Sequence, residues 1–294
     1  MGSISDRHGG LRGTAIDHPS RRAVLALVPA AVVSLPLGDM IPKPGSLTPL
    51  QSVVASGVAL SGAYPGHLQG VCTNGRDAIY WSMTTNIVKT DLSGNIIGQI
   101  TVASHHGDLC CVDDKVYVAV NLGLFNDPEM RSDSWIYVYS SEDLSLLTRH
   151  RVAEVVYGAG GIAFGDGRFI VVGGLPEGAG ENAIYEYDGD FRASRRIGLA
   201  TGQTYKGIQT ATFDGDHWWF GCYGRPDFME VLIRTDRRFG SIEKFAFDAS
   251  TGIVPLDRET VLVARAACGK DSCVARLLPA TLNAWIRTGR LRPL

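Results

Sequence analysis

Five of the seven histidines lie beyond residue 44, and three of these, His67, His105 and His106, open two apolar segments, His67-Leu-Gln-Gly-Val-Cys72 and His105-His-Gly-Asp-Leu-Cys-Cys111. Imidazoles suit general-base work near neutral pH, and they also suit divalent metals. Gln69, Asp108, Tyr205, Lys206 and Gln209 sit at comparable segment entries. One reading makes His67 and His106 bases that abstract a proton beside a carboxylate, with Tyr205 as partner and Lys206 or Arg225 neutralising the charge, as a polysaccharide lyase requires. A second lets His67, His106 and Asp108 hold a divalent metal as cofactor. A third is binding without catalysis, with Gln69, His105, Asp108, Asn121, Gln209, Tyr223 and Arg225 contacting a small molecule or glycan. Glycoside hydrolysis of the usual kind needs two facing carboxylates. Asp108 is the sole carboxylate at these entries, while Glu177, Asp227 and Glu230 lie in loops.

Distant residues can share a site only if the elements carrying them recur. After the first segment come the turn Asn74-Gly-Arg-Asp77, the strand Ala78-Ile-Tyr-Trp81 and the close Ile87-Val-Lys-Thr-Asp-Leu-Ser-Gly94. Weaker copies follow: the turns Asp113-Asp114, Gly165-Asp-Gly167, Asp214-Gly-Asp216 and Asp257-Arg-Glu259 lead into Val116-Tyr-Val118, Phe169-Ile-Val171, Trp218-Trp-Phe220 and Val261-Leu-Val263. From Ile79 through Val116, Phe169, Trp218 and Val261 the spacings are 37, 53, 49 and 43 residues, the range of solenoids and propellers. Short apolar runs bounded by Gly, Asp and Asn, with no sustained 3.6-residue period, predict an all-β chain.

The last repeat, Thr251 to Asn283, shows three strands, whereas residues 51–63 form a lone strand before the first. Joining them closes a ring of five blades over 67–104, 105–156, 157–202, 203–249 and 250–283 with 51–63, which removes exposed sheet edges within the ring. Aligned on their turns, the first strands place Gln69, Gly107, Gly160, Gln209 and Gly252 at equivalent positions, and His67 with His105 two residues earlier. Long loops follow the second strands of blades two to four, on the face where first strands begin, so that face is the expected binding face. Trp81 or Tyr223 could stack on a sugar ring there. This pattern resembles the β-propeller superfamily over residues 51–283, and loosely its NHL and gluconolactonase-like members. The resemblance implies a ligand site at one mouth of a central channel. The gluconolactonase-like members use a carboxylate and asparagine metal set, and Asn121 is the only residue here at a matching kind of position, which disfavours that activity.

The first 44 residues differ from the rest. A polar lead ends in Ser20-Arg-Arg-Ala-Val-Leu25, followed by a weakly apolar run broken by Pro29 and Pro36. This resembles a twin-arginine export signal, which implies a folded cargo delivered to a periplasmic or extracellular site. The run is shorter than the ~20 residues of a spanning helix, so membrane contact is expected only through this signal. The expected organisation is thus an export signal and linker over 1–44 and a propeller over 45–294.

Removing residues 1–44 changes the net charge from −2 to −4, which argues against a nucleic-acid partner. A monomer is expected. Among six cysteines, Cys268 and Cys273 flank a turn between two strands, a spacing that suits a hairpin disulfide. Cys72, Cys110, Cys111 and Cys222 lie in or beside apolar strands and read as core residues.

Overall fold

The structure, a computed structural model, describes residues 57–224, 231–257 and 260–281. The twin-arginine-like segment, Arg225, Asp227 and Glu230 lie outside these residues. The described chain forms five antiparallel four-stranded sheets. Blade one is β2 (Leu68–Thr73), β3 (Ala78–Met83), β4 (Asn86–Asp91) and β5 (Ile96–Thr101). Blade two is β6 (His106–Val112), β7 (Lys115–Asn121), β8 (Ser134–Ser140) and β9 (Leu146–Arg151). Blade three is β10 (Ala159–Gly165), β11 (Arg168–Gly173), β12 (Asn182–Tyr187) and β13 (Ala193–Leu199). Blade four is β14 (Ile208–Phe213), β15 (His217–Cys222), β16 (Leu232–Asp236) and β17 (Ile242–Phe245). Blade five takes β18 (Ile253–Pro255), β19 (Thr260–Cys268) and β20 (Cys273–Thr281), and its outer strand is β1 (Val58–Ala59). The chain is a five-bladed β-propeller.

Strand alternation makes the ring. Side chains point to opposite faces in turn, so on β11 Phe169 and Val171 join the apolar layer shared with blade two, and Ile170 and Val172 the layer shared with blade four. Each blade-to-blade interface has such a layer. Trp218 and Phe220 fill that between blades three and four, Trp219 and Phe245 that between four and five, and Tyr80 and Tyr137 that between one and two. The fifth layer joins Val58, Leu262 and Leu277 to Leu68, Trp81 and Val88, which shows the ring closed. A middle strand has both faces covered, and accordingly all six residues of β3 are buried. The outer strand β5 has none buried.

Closure uses the expected strand. Val58 pairs with Leu277 and Ala59 with Arg276, and the Leu60 amide donates to the Ala275 carbonyl at 2.9 Å. Tyr64 then bridges to Cys273, at the turn end of the β19–β20 hairpin, where the Cys268–Cys273 disulfide closes the tip. On the other side the Ser61 hydroxyl donates to the Gly94 carbonyl of blade one at 2.9 Å.

Turn chemistry follows the sequence. Asn74 Oδ1 accepts from the amides of Arg76, Asp77 and Ala78. After the third strands, Asp91, Asp188 and Asp236 each accept two backbone amides through Oδ1. In blade two Ser140 does this work with its hydroxyl.

Four of the five first strands carry a one-residue bulge against their second strand, between Leu68 and Gly70, His106 and Leu109, Ala159 and Gly161, and Ile208 and Thr210. A bulge leaves one residue unpaired and re-aims its side chain. Near these bulges the inner strands approach so closely that a Cβ on Gly107 would overlap the Gly160 carbonyl oxygen, and one on Gly161 would come within 2.7 Å of the Gln209 carbonyl oxygen. Glycine is what that spacing permits.

Candidate functional site

The bulged residues Gln69 and Gln209 aim into one mouth of the channel, where a cavity of about 300 Å³ is lined by His67, Gln69, His105, Gly107, Phe125, Asn126, Gly160, Lys206, Gln209 and Tyr223. Blades one to four all contribute. The glycines of blades two and three leave the room that the glutamines of blades one and four border.

Gln69 organises the wall. Its Nε2 lies 2.6 Å from His67 Nε2 and 3.0 Å from His105 Nε2. An amide nitrogen has hydrogens to give and no lone pair to offer, so both imidazoles accept through Nε2 and carry their proton on Nδ1. Thr84 completes the set: its Oγ1 accepts the His67 amide at 3.0 Å and lies 3.4 Å from His67 Nδ1. Burial lowers the pKa of His67, and the Lys206 ammonium lowers it further. Burial, then the charge of His67, lowers that of His105. Two neutral rings with centroids 5.9 Å apart therefore face the cavity at physiological pH.

The opposite wall is cationic and aromatic. Lys206 is exposed, and its Nζ lies 5.3 Å from the Tyr205 ring centre and 6.0 Å from that of Tyr223. Cation–π attraction holds such a pair together. Its backbone has a φ of 61°, a left-handed conformation that costs a side-chain-bearing residue about 1 kcal/mol or more and concentrates at ligand clamps. Gly207 follows at φ 79°, where a side chain would overlap the Gly173 carbonyl oxygen. The Lys206 carbonyl accepts from Gln209 Nε2 at 2.8 Å. Burial, then Asp248 and Tyr205, raises the Tyr223 pKa, so its hydroxyl stays protonated.

Three expected participants stand elsewhere. His106 is fully buried, with Nδ1 2.7 Å from the Ala103 carbonyl oxygen, Nε2 2.8 Å from the Tyr139 hydroxyl and its ring edge-on to Tyr137. The expected convergence of His67 with His106 is thus corrected: adjacent strand residues face opposite sides, so His105 turns to the mouth and His106 into the packing between blades one and two. The turn alignment carries that signal, because His106 is equivalent to Leu68, Ala159 and Ile208, all buried core residues. Asp108 is buried in the axle, where Oδ2 accepts the Ala211 amide of blade four at 2.9 Å and a Cβ on Gly70 of blade one would overlap it. Burial raises its pKa well above the carboxylate range, against the pull of the Ala211, Leu109 and Val71 amides. Asn121 is buried too, and its amide secures its own loop, donating to the Gly123 carbonyl and accepting from the Asp133 amide, both at 3.0 Å.

The metal set His67, His106 and Asp108 therefore does not converge. Among the described residues no group of three His, Cys, Asp or Glu side chains is arranged to hold a metal ion. Trp81 is buried with its Nε1 donating to Thr90 Oγ1, so of Trp81 and Tyr223 it is Tyr223 that reaches the mouth, beside Phe125. Thr84, Phe125 and Asn126 add to the site without any repeat position to mark them: Phe125 and Asn126 belong to the long loop after β7 and Thr84 to the short one after β3. Asn126 Oδ1 accepts the Leu175 amide at 2.7 Å, tying the loops of blades two and three together.

No protein-family model matches the chain. No curated protein matches it either. Among solved structures it is similar to the glutaminyl cyclase of Myxococcus xanthus, at 12% identity over 76% of this chain and 97% of that one, with a TM-score of 0.50. It is similar to a protein of unknown function from Bacteroides thetaiotaomicron VPI-5482, at 11% identity over 81% of this chain and 61% of the other, with a TM-score of 0.50. The WD40 domain of Neurospora crassa Pan2 overlaps at 9% identity over 71% of this chain and 62% of the other, with a TM-score of 0.41. At these identities the likeness concerns the propeller fold alone.

Proposed function

We propose that this is an exported propeller that binds a carbohydrate bearing an acidic group at the mouth formed by His67, Gln69, His105, Lys206, Gln209 and Tyr223. The observation that carries the reading is the composition of the cavity wall. Two neutral imidazoles, two glutamines and a tyrosine provide hydrogen-bond partners, Lys206 provides a positive charge, and Phe125 and Tyr223 provide aromatic rings. A few polar groups converging on a cavity of this size are what small-ligand sites share. Export is supported by Ser20-Arg-Arg-Ala-Val-Leu25 and by the Cys268–Cys273 disulfide, a bond that persists in oxidising compartments. One chain supplies the whole described wall, so a monomer suffices.

Isothermal titration with uronate-containing oligosaccharides tests the reading. Gln69→Leu and Lys206→Ala should each weaken binding about tenfold or more, equivalent to ~1.4 kcal/mol, and Lys206→Ala, at an exposed position, should do so with an unchanged Tm. Absence of binding by the unaltered protein would end the proposal.

A lyase-like reaction is the second reading, favoured by the nearness of Lys206 to a neutral His67. Here His105 would replace His106 as the partner base. Both Nε2 lone pairs are engaged by Gln69, so this chemistry needs the ligand to draw Gln69 away, and binding is the better-supported function. Absorbance of an unsaturated sugar product distinguishes the two.

A further inference from the structure

A second cavity of about 190 Å³ adjoins the mouth and shares Asn126 and Lys206 with it. It lies between the loops that follow β11 and precede β14, and its wall differs in kind. Leu175, Pro176 and the Tyr205 ring supply apolar surface, Gln203 and Thr204 polar groups, and Glu177 a carboxylate. The described wall of the central cavity has Lys206 and no Asp or Glu. Alone, the side cavity falls below the ~300–1,000 Å³ of ordinary ligand sites, whereas the two together fall within that range.

We infer, building on the glycan-binding reading, that the two cavities are consecutive subsites for an oligosaccharide in which an acidic sugar is joined to a neutral one. The acidic ring occupies the centre, where Lys206 meets its carboxylate. The neutral ring lies in the side cavity against Pro176 and Tyr205 with its hydroxyls toward Gln203. A second acidic ring is rejected there because Glu177 would face its carboxylate with only the shared Lys206 to offset both. Specificity arises from that repulsion as much as from attraction at the centre.

The test uses the whole protein and three probes in calorimetry: glucuronic acid, a glucuronic acid–N-acetylglucosamine disaccharide, and digalacturonic acid. The mixed disaccharide should bind about tenfold or more tighter than glucuronic acid, and digalacturonic acid no tighter than glucuronic acid. Glu177 is exposed, so Glu177→Trp should fold normally, fill the side cavity and abolish the disaccharide's advantage while leaving glucuronic acid binding within about twofold. Glu177→Gln should let digalacturonic acid gain affinity. If glucuronic acid binds and the disaccharide gains nothing, or if its gain survives Glu177→Trp, the two-subsite inference is overturned and the central site stands. If none of the probes binds, the glycan reading itself falls.

Discussion

His105 and His106 are chain neighbours with opposite fates, and the difference is testable by pH. His105 shares Gln69 with His67 at the mouth, while His106 is sealed against Ala103 and Tyr139. Burial brings the His106 pKa down to about 4, against the upward pull of the Ala103 carbonyl. The folded protein keeps the ring neutral where the unfolded chain, titrating near ~6.5, takes up a proton. The stability this group contributes is therefore fully present above pH ~6.5 and is lost as the pH falls toward about 4, a change of roughly 3 kcal/mol. Chemical denaturation of the native protein and of His106→Gln at pH 7.5 and 4.5 should show the native protein losing more stability on acidification. Asp108, whose raised pKa acts in the opposite direction, is present in both proteins and cancels in the comparison. Equal losses would mean that His106 is protonated in the fold.

At the scale of the strand, the repeated bulge converts an ordinary inner strand into a site-building one. Four first strands are bulged at the equivalent point, which aims Gln69 and Gln209 at the mouth and brings glycine backbones of adjoining blades into contact. Gly107→Ala places a methyl group where the Gly160 carbonyl oxygen lies, so it should destabilise the protein by about 2–4 kcal/mol through backbone displacement. Gly189→Ala, at a turn with no atom within 4 Å of the added carbon, is the control and should change stability by less than ~0.5 kcal/mol. Guanidinium denaturation measures both. Alignment on the turns made Gln69, Gly107, Gly160 and Gln209 equivalent from sequence alone. The bulge itself was not legible, because its extra residue shows only as a change of pairing partner on a strand elsewhere in the chain.

For the whole molecule, stability depends on a two-residue strand. β1 joins blade five to the start of the chain, and Leu60 extends it by one hydrogen bond to Ala275. Leu60→Pro removes that donor and disturbs the layer holding Leu60, Val58 and Trp81, so it should cost about 3 kcal/mol and expose the outer edge of β20 to limited proteolysis. The Cys268–Cys273 disulfide closes a loop of sequence separation 5, so the double serine variant should cost less, below the ~3 kcal/mol of a 15-residue loop. The reverse order would show that the hairpin staple, and not the closing strand, secures the ring.

The sequence by itself determined the five repeats, the Asp and Asn turns, the closing strand, the hairpin disulfide and the face on which long loops gather. Each is a local pattern, a period or a spacing, that the chain carries wherever it lies. Only the tertiary structure decided that Gln69 bridges His67 and His105, that Asp108 lies buried in the axle, and that Lys206 stands over two tyrosines between two cavities. Those outcomes depend on which strand lies beside which and on where an unpaired residue shifts the alternation of faces. Contacts such as Gln69 with His105, 36 residues apart, and Asp108 with Ala211, 103 residues apart, are a property of the closed ring, and no segment of it holds that information alone.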